Sequence, residues 1–295
     1  MKFRPVKTTF KLIAMVAVVS LVSCKKDATT SSSNSNAASM SDSSTAADNA
    51  YYDVLNTALV GSSDNMSVWS SSTARVGRTT TMSTGSISTA PLGCAIYTID
   101  DSIPDSYPKT LTLNFGTGCT SADGIERSGI IIYHFTGPIL VPGDTVTASF
   151  ENYKVNGYGI QGSYTIINKS STQEPIKFTT LVTNGIVTYP NETNYHYSHN
   201  KTYTLTSGFA TPLDITDDVY SITGNSAFST SGGSSLVFNA TTPLVKAISC
   251  HNVSAGVVAF TYDDAVSGTI DFGDGTCDNL ATVTVGNIHR TIILR

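Results

Sequence analysis

The sequence has little charge and no recognisable catalytic motif. Only 13% of its residues are Asp, Glu, Lys or Arg, which is low for a soluble domain. Residues 1–23 carry four basic residues and no acidic ones, so the rest of the chain has 13 basic and 22 acidic residues and a net charge of about −9. Such an acidic chain is poorly suited to nucleic acid or to electrostatic docking on anionic lipid. With no Gly-x-Ser-x-Gly motif and no grouping of residues for nucleophilic catalysis, we expect neither an enzyme nor a bound cofactor.

No apolar run is long enough to cross a bilayer as a helix. The longest covers 12–22, is interrupted only by Ser20, and follows the basic residues Lys2, Arg4, Lys7 and Lys11. A basic start, a short apolar core and small residues after it predict an export signal peptide over 1–23. The Leu-Val-Ser-Cys that ends at Cys24 resembles a bacterial lipobox. We therefore expect a lipoprotein that carries palmitate or a similar acyl chain on Cys24 and is held by it at the membrane of the cell envelope. Lys25 is compatible with sorting to the outer membrane.

Two segments precede the main domain. The first, 24–49, is rich in Ser, Thr, Ala and Asn and has almost no apolar bulk, which predicts a lipidated flexible tether. The second, 50–89, combines a helix with a polar loop. We place this helix at 46–60, with Asp48 as its N-cap and Gly61 as its stop. Its apolar stripe is formed by Tyr51, Val54, Leu55 and Leu59.

From 90 to 295 the sequence predicts a single all-β domain. Apolar and polar residues alternate in many short runs, such as 111–115, 146–150 and 281–285, which is typical of strands with one wet face. Turn residues such as Asn156-Gly157 and Asn184-Gly185 separate the runs. We expect antiparallel sheets arranged as a sandwich, an open barrel or a curled meander.

Two windows, 94–119 and 250–277, have the same design. Each begins with a cysteine, contains a strand that ends in Asp-Asp, and ends with Asx-Phe-Gly-x-Gly shortly before a second cysteine. In an antiparallel hairpin the start of one strand lies opposite the end of the other, so the terminal cysteines can reach disulfide geometry. In an exported chain this predicts the disulfides Cys94–Cys119 and Cys250–Cys277.

Metal binding has only weak support in the sequence. Asp271, Asp274 and Asp278 could ligate Ca²⁺, but their spacing lacks the order of an EF-hand, and turns capped by Asx side chains account for the same residues. His196 and His199 would point to opposite faces of a strand.

Tyrosine is abundant, with 14 residues in the chain. The clusters of tyrosines around 153–164 and 189–203 could stack on sugars or bind protein, but tyrosine is also a favoured strand residue and can simply fill a core. Paired acids such as Asp100-Asp101 and Asp217-Asp218 lie at expected turns and give glycosidase chemistry no positive support.

The chain resembles a group of uncharacterised β-rich lipoproteins from Bacteroidota-type bacteria. The resemblance covers most of the chain from Ala50 and includes the basic Arg127 after the first Phe-Gly-x-Gly-Cys. It lies in the segments 23–27, 107–110, 114–119, 155–157, 217–224, 242–244 and 271–279. It implies a secreted β-rich fold and no particular activity.

The leading hypothesis is therefore a lipid-anchored envelope protein with a non-enzymatic structural or binding role. Its expected partners are the membrane, through the acyl anchor, and a glycan or another envelope protein. A carbohydrate-binding or carbohydrate-active surface protein is the first alternative, and a periplasmic lipid carrier is the second. A flat Tyr/Asn face would favour a binder, two converging carboxylates an enzyme, and a continuous apolar groove a carrier.

Overall fold

The protein consists of one long helix and one antiparallel sheet, as seen in a computed structural model that describes Met1 and residues 25–63, 92–100, 106–171, 175–211 and 214–295. Cys24, the predicted signal segment after Met1 and residues 64–89 of the predicted polar loop all lie outside the described residues. The predicted all-β class is confirmed.

The helix and the strands follow one another in a simple order. The helix, α1, spans Lys25–Ser63. The strands are β1 (Ile96–Ile99), β2 (Lys109–Asn114), β3 (Cys119–Thr120), β4 (Glu126–Phe135), β5 (Thr145–Val155), β6 (Tyr158–Asn168), β7 (Lys177–Thr188), β8 (Asn194–Ser207), β9 (Val219–Thr230), β10 (Ser235–Ala247), β11 (Ala255–Tyr262), β12 (Val266–Asp274), β13 (Leu280–Val285) and β14 (Ile288–Ile293). A short 3₁₀ turn at Ile215–Asp217 precedes β9.

The sheet is a meander of 14 strands in which each strand pairs with the next along the chain, except that β3 pairs with β4 beside β2. Every pairing is antiparallel, as in β1 with β2, where Ile96 lies opposite Asn114. Alternate residues face the core, so β2 buries Lys109, Leu111 and Leu113 and turns the residues between them outward. Of the three expected arrangements, the structure is the curled meander.

The sheet curls around α1. None of the residues 40–63 is exposed, and a helix buried on all sides must be enclosed rather than laid on a flat surface. The helix contacts strands from both halves of the sheet, from β5 and β6 to β12, β13 and β14. The predicted apolar stripe is confirmed as part of the core, since all four of its residues, Tyr51, Val54, Leu55 and Leu59, are buried.

The predicted flexible tether at 24–49 is wrong for the part of it that the structure describes. Residues 25–49 are helical, and small side chains such as Ala37, Ala38 and Ala47 are buried. The composition argument failed because alanine is the best helix former, and small residues let a helix approach a sheet closely. The hydroxyls of Ser41 and Ser44 donate to carbonyls three residues earlier, so they need no water.

The predicted helix ends are also wrong. Asp48 lies in the middle of α1, where it accepts an ion pair from Lys201 at 2.6 Å, and is not an N-cap. Gly61 is helical too. A Cβ at Gly61 would lie 3.3 Å from the side chain of Leu111, so this glycine allows close packing on β2 instead of ending the helix.

Both predicted hairpins and both disulfides are confirmed. Cys94–Cys119 joins the base of the β1–β2 hairpin with Cα atoms 6.1 Å apart, and Cys250–Cys277 joins the base of the β11–β12 hairpin with Cα atoms 5.6 Å apart. The first hairpin forms one edge of the sheet, whereas the second is separated from the other edge by β13 and β14. Among the described residues, no helix combines the length and hydrophobicity that a membrane span requires.

Candidate functional site

A polar cleft lies where α1, the β3–β4 connection, the β5–β6 turn and the β10–β11 connection meet. Its volume is about 280 Å³, which suits one or two sugar rings or a similarly small molecule. Amide side chains dominate its polar lining, namely those of Asn49, Asn56, Asn156, Asn252 and Asn279. The charged residues of the lining are Asp53, Asp123, Lys246 and Arg295, and the aromatic ones are Tyr52, Tyr158 and His251.

One wall of the cleft is built on a buried charge network centred on Arg127. The Arg127 guanidinium donates to both carboxylate oxygens of Asp53 in α1, at 3.0 and 2.5 Å. It also donates to both oxygens of Asp123, at 3.0 and 2.7 Å. The hydroxyl of Tyr153 donates to Asp53 at 2.7 Å. Burial by itself would lower the pKa of Arg127, but the charge and hydrogen bonds of the two acids more than offset this and raise it.

This network attaches the helix to the sheet. Arg127 is fully buried, and each acid that it binds comes from a different element. Since both carboxylates already accept two hydrogen bonds from one cation, they are positioned as structural ion-pair partners. Carboxylates held in this way are not free to serve as the acid and the base of a hydrolase.

Two distant parts of the β region meet at the cleft. The imidazole Nε2 of His251, just after Cys250, lies within hydrogen-bond distance of the backbone oxygen of Asp123 in the β3–β4 connection. These groups are 128 residues apart in sequence. The curl of the sheet therefore brings the connection after the first hairpin against the loop that opens the second.

Lys246 is the most unusual residue of the cleft. It occupies an inward position of β10, between Leu244 and Ile248 in the alternating pattern, and is only 3% exposed. Its amine donates to the carbonyl of Ala247 at 3.0 Å and to that of Cys250, and lies 4.2 Å from the centre of the Tyr52 ring. Burial lowers the pKa of Lys246 to about 7, and the charge of Asp53 only partly opposes this.

Two other cleft residues each have a buried polar atom without a hydrogen-bond partner among the described residues. These atoms are the hydroxyl of Tyr52 and the side-chain oxygen of Asn56, which lie one helical turn apart on α1. Leaving such an atom unpaired costs about 1–3 kcal/mol. The interior beside the cleft is therefore polar and incompletely satisfied.

Asp218 lies behind the loop that carries the cleft residues. Its backbone oxygen accepts from the N–H of Ile248 at 2.9 Å, and its carboxylate accepts from the Tyr220 hydroxyl at 3.0 Å. Burial raises the pKa of Asp218 to about 6, an effect that the Tyr220 hydrogen bond partly opposes. Asp218 thus carries a carboxyl group that titrates in mildly acidic conditions.

The weak calcium candidates act as turn caps. Asp271, Asp274 and Asp278 each accept a hydrogen bond from the backbone N–H two residues later, at 2.9, 3.1 and 2.9 Å. The hydrogen bond from Thr216 lowers the pKa of Asp214 by the same kind of capping contact. Within the described ranges no group of three or more His, Cys, Asp or Glu side chains is placed to hold a metal ion. The turn interpretation of these acids is therefore the one that the geometry supports.

The histidines of β8 point as predicted, whereas most of the clustered tyrosines are buried. His196 is exposed and His199 is buried, so the two do point to opposite faces of β8. The tyrosines of the two clusters do not form a flat outer face, because Tyr153, Tyr158 and Tyr164 are buried and Tyr195 is half-buried. They fill the space between the sheet and α1, as in the stack of Tyr197 on Tyr51 at 4.9 Å.

Sequence reasoning missed Lys246 and Asp53, two of the charged residues that line the cleft. Lys246 was not singled out, although the pattern Leu244-Val245-Lys246-Ala247-Ile248 places a lysine in a slot that alternation reserves for an apolar residue. Asp53 gave a similar signal, because it is a charged residue between Tyr51 and Val54, two residues of the apolar stripe of the predicted helix. Arg127 entered only through the resemblance. Asp53 and Arg127 are 74 residues apart in sequence, so no local spacing could connect this pair.

The chain was compared with known proteins in three ways. No protein-family model matches it, and no match was found among curated proteins or among solved structures. The function must therefore be argued from the cleft itself.

Proposed function

We propose that the chain is a lipid-anchored protein of the cell envelope whose role is to bind a small polar ligand in the cleft, without catalysing a reaction. The observation that carries this proposal is the cleft's lining of asparagine amides, with aromatic rings beside them. Amides offer both donors and acceptors, and rings offer apolar faces, which together suit a polyhydroxylated molecule such as a glycan unit.

Two features favour binding over the alternatives. Asp53 and Asp123, the carboxylates that reach the cleft, are both committed to Arg127, which argues against glycosidase chemistry. The concave face of the described sheet is filled by α1 and by buried tyrosines, so a carrier's continuous apolar groove would have to be opened by removing the helix.

The anchor part of the proposal rests on the lipobox and on the start of α1. The described helix reaches back to Lys25, the residue after Cys24, and five of the seven residues 30–36 are exposed. The twelve residues before Ala37 would span about 18 Å as a helix. A partly rigid spacer would then hold the cleft at a set distance from the lipid surface.

The anchor can be tested by metabolic labelling. We expect labelled palmitate to enter the native chain and not Cys24→Ala, and we expect the variant to leave the membrane fraction. Equal fractionation of the two chains, without label in either, would contradict the anchor.

Ligand binding can be tested with a soluble chain of residues 25–295, which keeps all of α1. On a glycan array carrying neutral and acidic glycans, we expect specific binding that Asn279→Trp abolishes, because Asn279 is an exposed residue of the cleft lining. Asn200→Trp is the matched control, since Asn200 is an exposed residue of β8 that is not part of the cleft. Binding that both variants reduce equally, or no binding at all, would overturn the assignment of the cleft as a glycan site.

A further inference from the structure

We propose that the ligand of the cleft carries a carboxylate and that Lys246 binds it, so that the ligand class is acidic sugars rather than neutral ones. This inference rests on the proposed function and names its ligand more narrowly. Its basis is the contrast between Lys246 and another largely buried lysine, Lys201.

Lys201 has the partner that a buried charge normally requires. Its amine lies 2.6 Å from the Asp48 carboxylate, and its side chain is 13% exposed. Lys246 is buried more deeply, yet within the described part of the chain its amine contacts only two backbone carbonyls and the face of Tyr52. Buried charges in proteins are usually paired with an opposite charge, and Lys246 lacks such a partner among these contacts. A ligand with a negative charge could provide it.

The acids that line the cleft do not pair with Lys246. Asp53 and Asp123 are bound by Arg127, each through two hydrogen bonds. Their charge is therefore largely offset within the network. The amine of Lys246 is the one cation of the described cleft walls that is deeply buried and has no carboxylate against it.

The position of Lys246 suits recognition of a ligand. Lys246, Tyr52 and Cys250 all line the cleft, so the amine lies among the groups that a bound molecule would touch. A uronate offers a carboxylate for the amine, hydroxyls for the asparagine amides and an apolar ring face for an aromatic side chain. Burial disfavours the charged form of the Lys246 amine. An ion pair with a ligand, formed away from water, would favour that charged form again.

The inward lysine interrupts the apolar pattern of β10. An apolar residue at this position of β10 would continue the pattern of Leu244 and Ile248 and would avoid the cost of burying an amine. Natural sequences break the local pattern mainly where function demands it.

The test uses the same soluble chain on an array of uronate-containing glycans and their carboxyl-reduced, neutral counterparts, followed by calorimetric titration of the best binder. We expect the uronate forms to bind and the reduced forms to bind about 10- to 100-fold more weakly, as for loss of a hydrogen bond to a charged group. Lys246→Met should cause a loss of similar size while keeping the volume of the side chain. Lys201→Met is the matched control and should leave the affinity unchanged.

The outcomes separate this inference from the function on which it rests. Equal binding of acidic and neutral forms, or full affinity in Lys246→Met, would overturn the role of Lys246 and leave the cleft as a binding site. Binding that is lost in Asn279→Trp and in Lys246→Met alike, for uronates only, would support both. If no glycan of either kind binds, both fall. Thermal unfolding of Lys246→Met confirms that the variant is folded, and we expect it to be at least as stable as the native chain.

Discussion

The two disulfide hairpins are alike in their local geometry and different in their surroundings. Asn114 and Asp271 each accept a hydrogen bond from the backbone N–H of a glycine two residues later, at 2.8 and 2.9 Å. Gly116 and Gly273 both have positive φ, which glycine adopts without strain. Both phenylalanines of the repeated motif are buried. Short sequences with the same turn residues thus produce the same hairpin end.

The two hairpins differ in the path that the chain takes after each of them. Asn114 pairs across the sheet with Ile130, while Asp271 pairs with Thr282, so the chain takes a longer path after the first hairpin. That longer path contains β3 and Asp123, and it leads to Arg127 at the start of β4. The repeated residues therefore determine the shape of the hairpins. The segment that follows only the first hairpin contributes Asp123 and Arg127 to the charge network.

The second hairpin differs in contributing to the cleft. The connection that leads into it carries Cys250, His251 and Asn252, all of which line the cleft. The corresponding cysteine of the first hairpin, Cys94, is not part of the cleft lining. Duplication therefore explains the shape of the two hairpins but not the site, which forms only where the two regions meet.

The largest expected effect concerns the network after the first hairpin. Asp53→Asn should lower the free energy of unfolding by about 3–5 kcal/mol, because it leaves a buried guanidinium with one carboxylate fewer. Asp42→Asn is the matched control, since it breaks an ion pair with Arg290, whose side chain is 47% exposed, and should cost less than about 1 kcal/mol. Urea denaturation of both variants measures the difference. Similar losses in the two would mean that the buried network does not hold the helix in the sheet.

The two disulfides should stabilise the fold by nearly the same amount, but only one of them should affect binding. Replacing either pair of cysteines with alanine should cost about 2–4 kcal/mol, because the sequence separations of 25 and 27 residues close loops of similar length. Only the double change Cys250→Ala and Cys277→Ala should also weaken binding in the cleft, since this disulfide holds in place the loop whose backbone carbonyl at Cys250 accepts from the Lys246 amine. Denaturation and the glycan titration measure these two effects. Weaker binding after loss of Cys94–Cys119 would break the distinction between the hairpins.

The two turn caps should contribute equally to the stability of the fold. Asn114→Ala and Asp271→Ala should each cost about 1 kcal/mol, the usual value of one side-chain hydrogen bond. Ser149→Ala, at an exposed position of β5, should cost close to nothing and serves as the control. A large difference between the two cap variants in denaturant would show that the repeated motif does not act in the same way at both sites.

The smallest expected effect is a pH dependence of the free energy of unfolding that comes from Asp218, which contacts the connection leading into the second hairpin. Since the pKa of Asp218 is raised to about 6, the folded chain keeps a proton that the unfolded chain has lost between about pH 4 and pH 6. Stability contributed by this group should therefore fall as the pH rises through that window, and Asp218→Asn should remove the slope. Denaturation of both chains at several pH values measures this slope, which the Tyr220 hydrogen bond keeps modest by partly opposing the pKa shift. A stability difference that does not vary with pH would contradict the assignment.

The sequence by itself determined the class of the fold, the two hairpins and their disulfides. These features depend on local rules, namely alternation of apolar residues, turn chemistry at glycine and asparagine, and cysteines at the ends of paired strands. The buried stripe of α1 was predictable for the same reason, since Tyr51, Val54 and Leu55 follow the helical period.

Only the tertiary structure decided how far the helix extends and where the site lies. Ser- and Ala-rich residues before Ala50 satisfy the composition of a flexible segment, yet they are helical, and the curled sheet encloses the part of them at 40–49. The cleft joins Asp53, Asp123 and Lys246, which are brought together by the curvature of the sheet and not by any spacing along the chain. Burial gives Lys246 its unusual chemistry, and burial is a property of the whole fold.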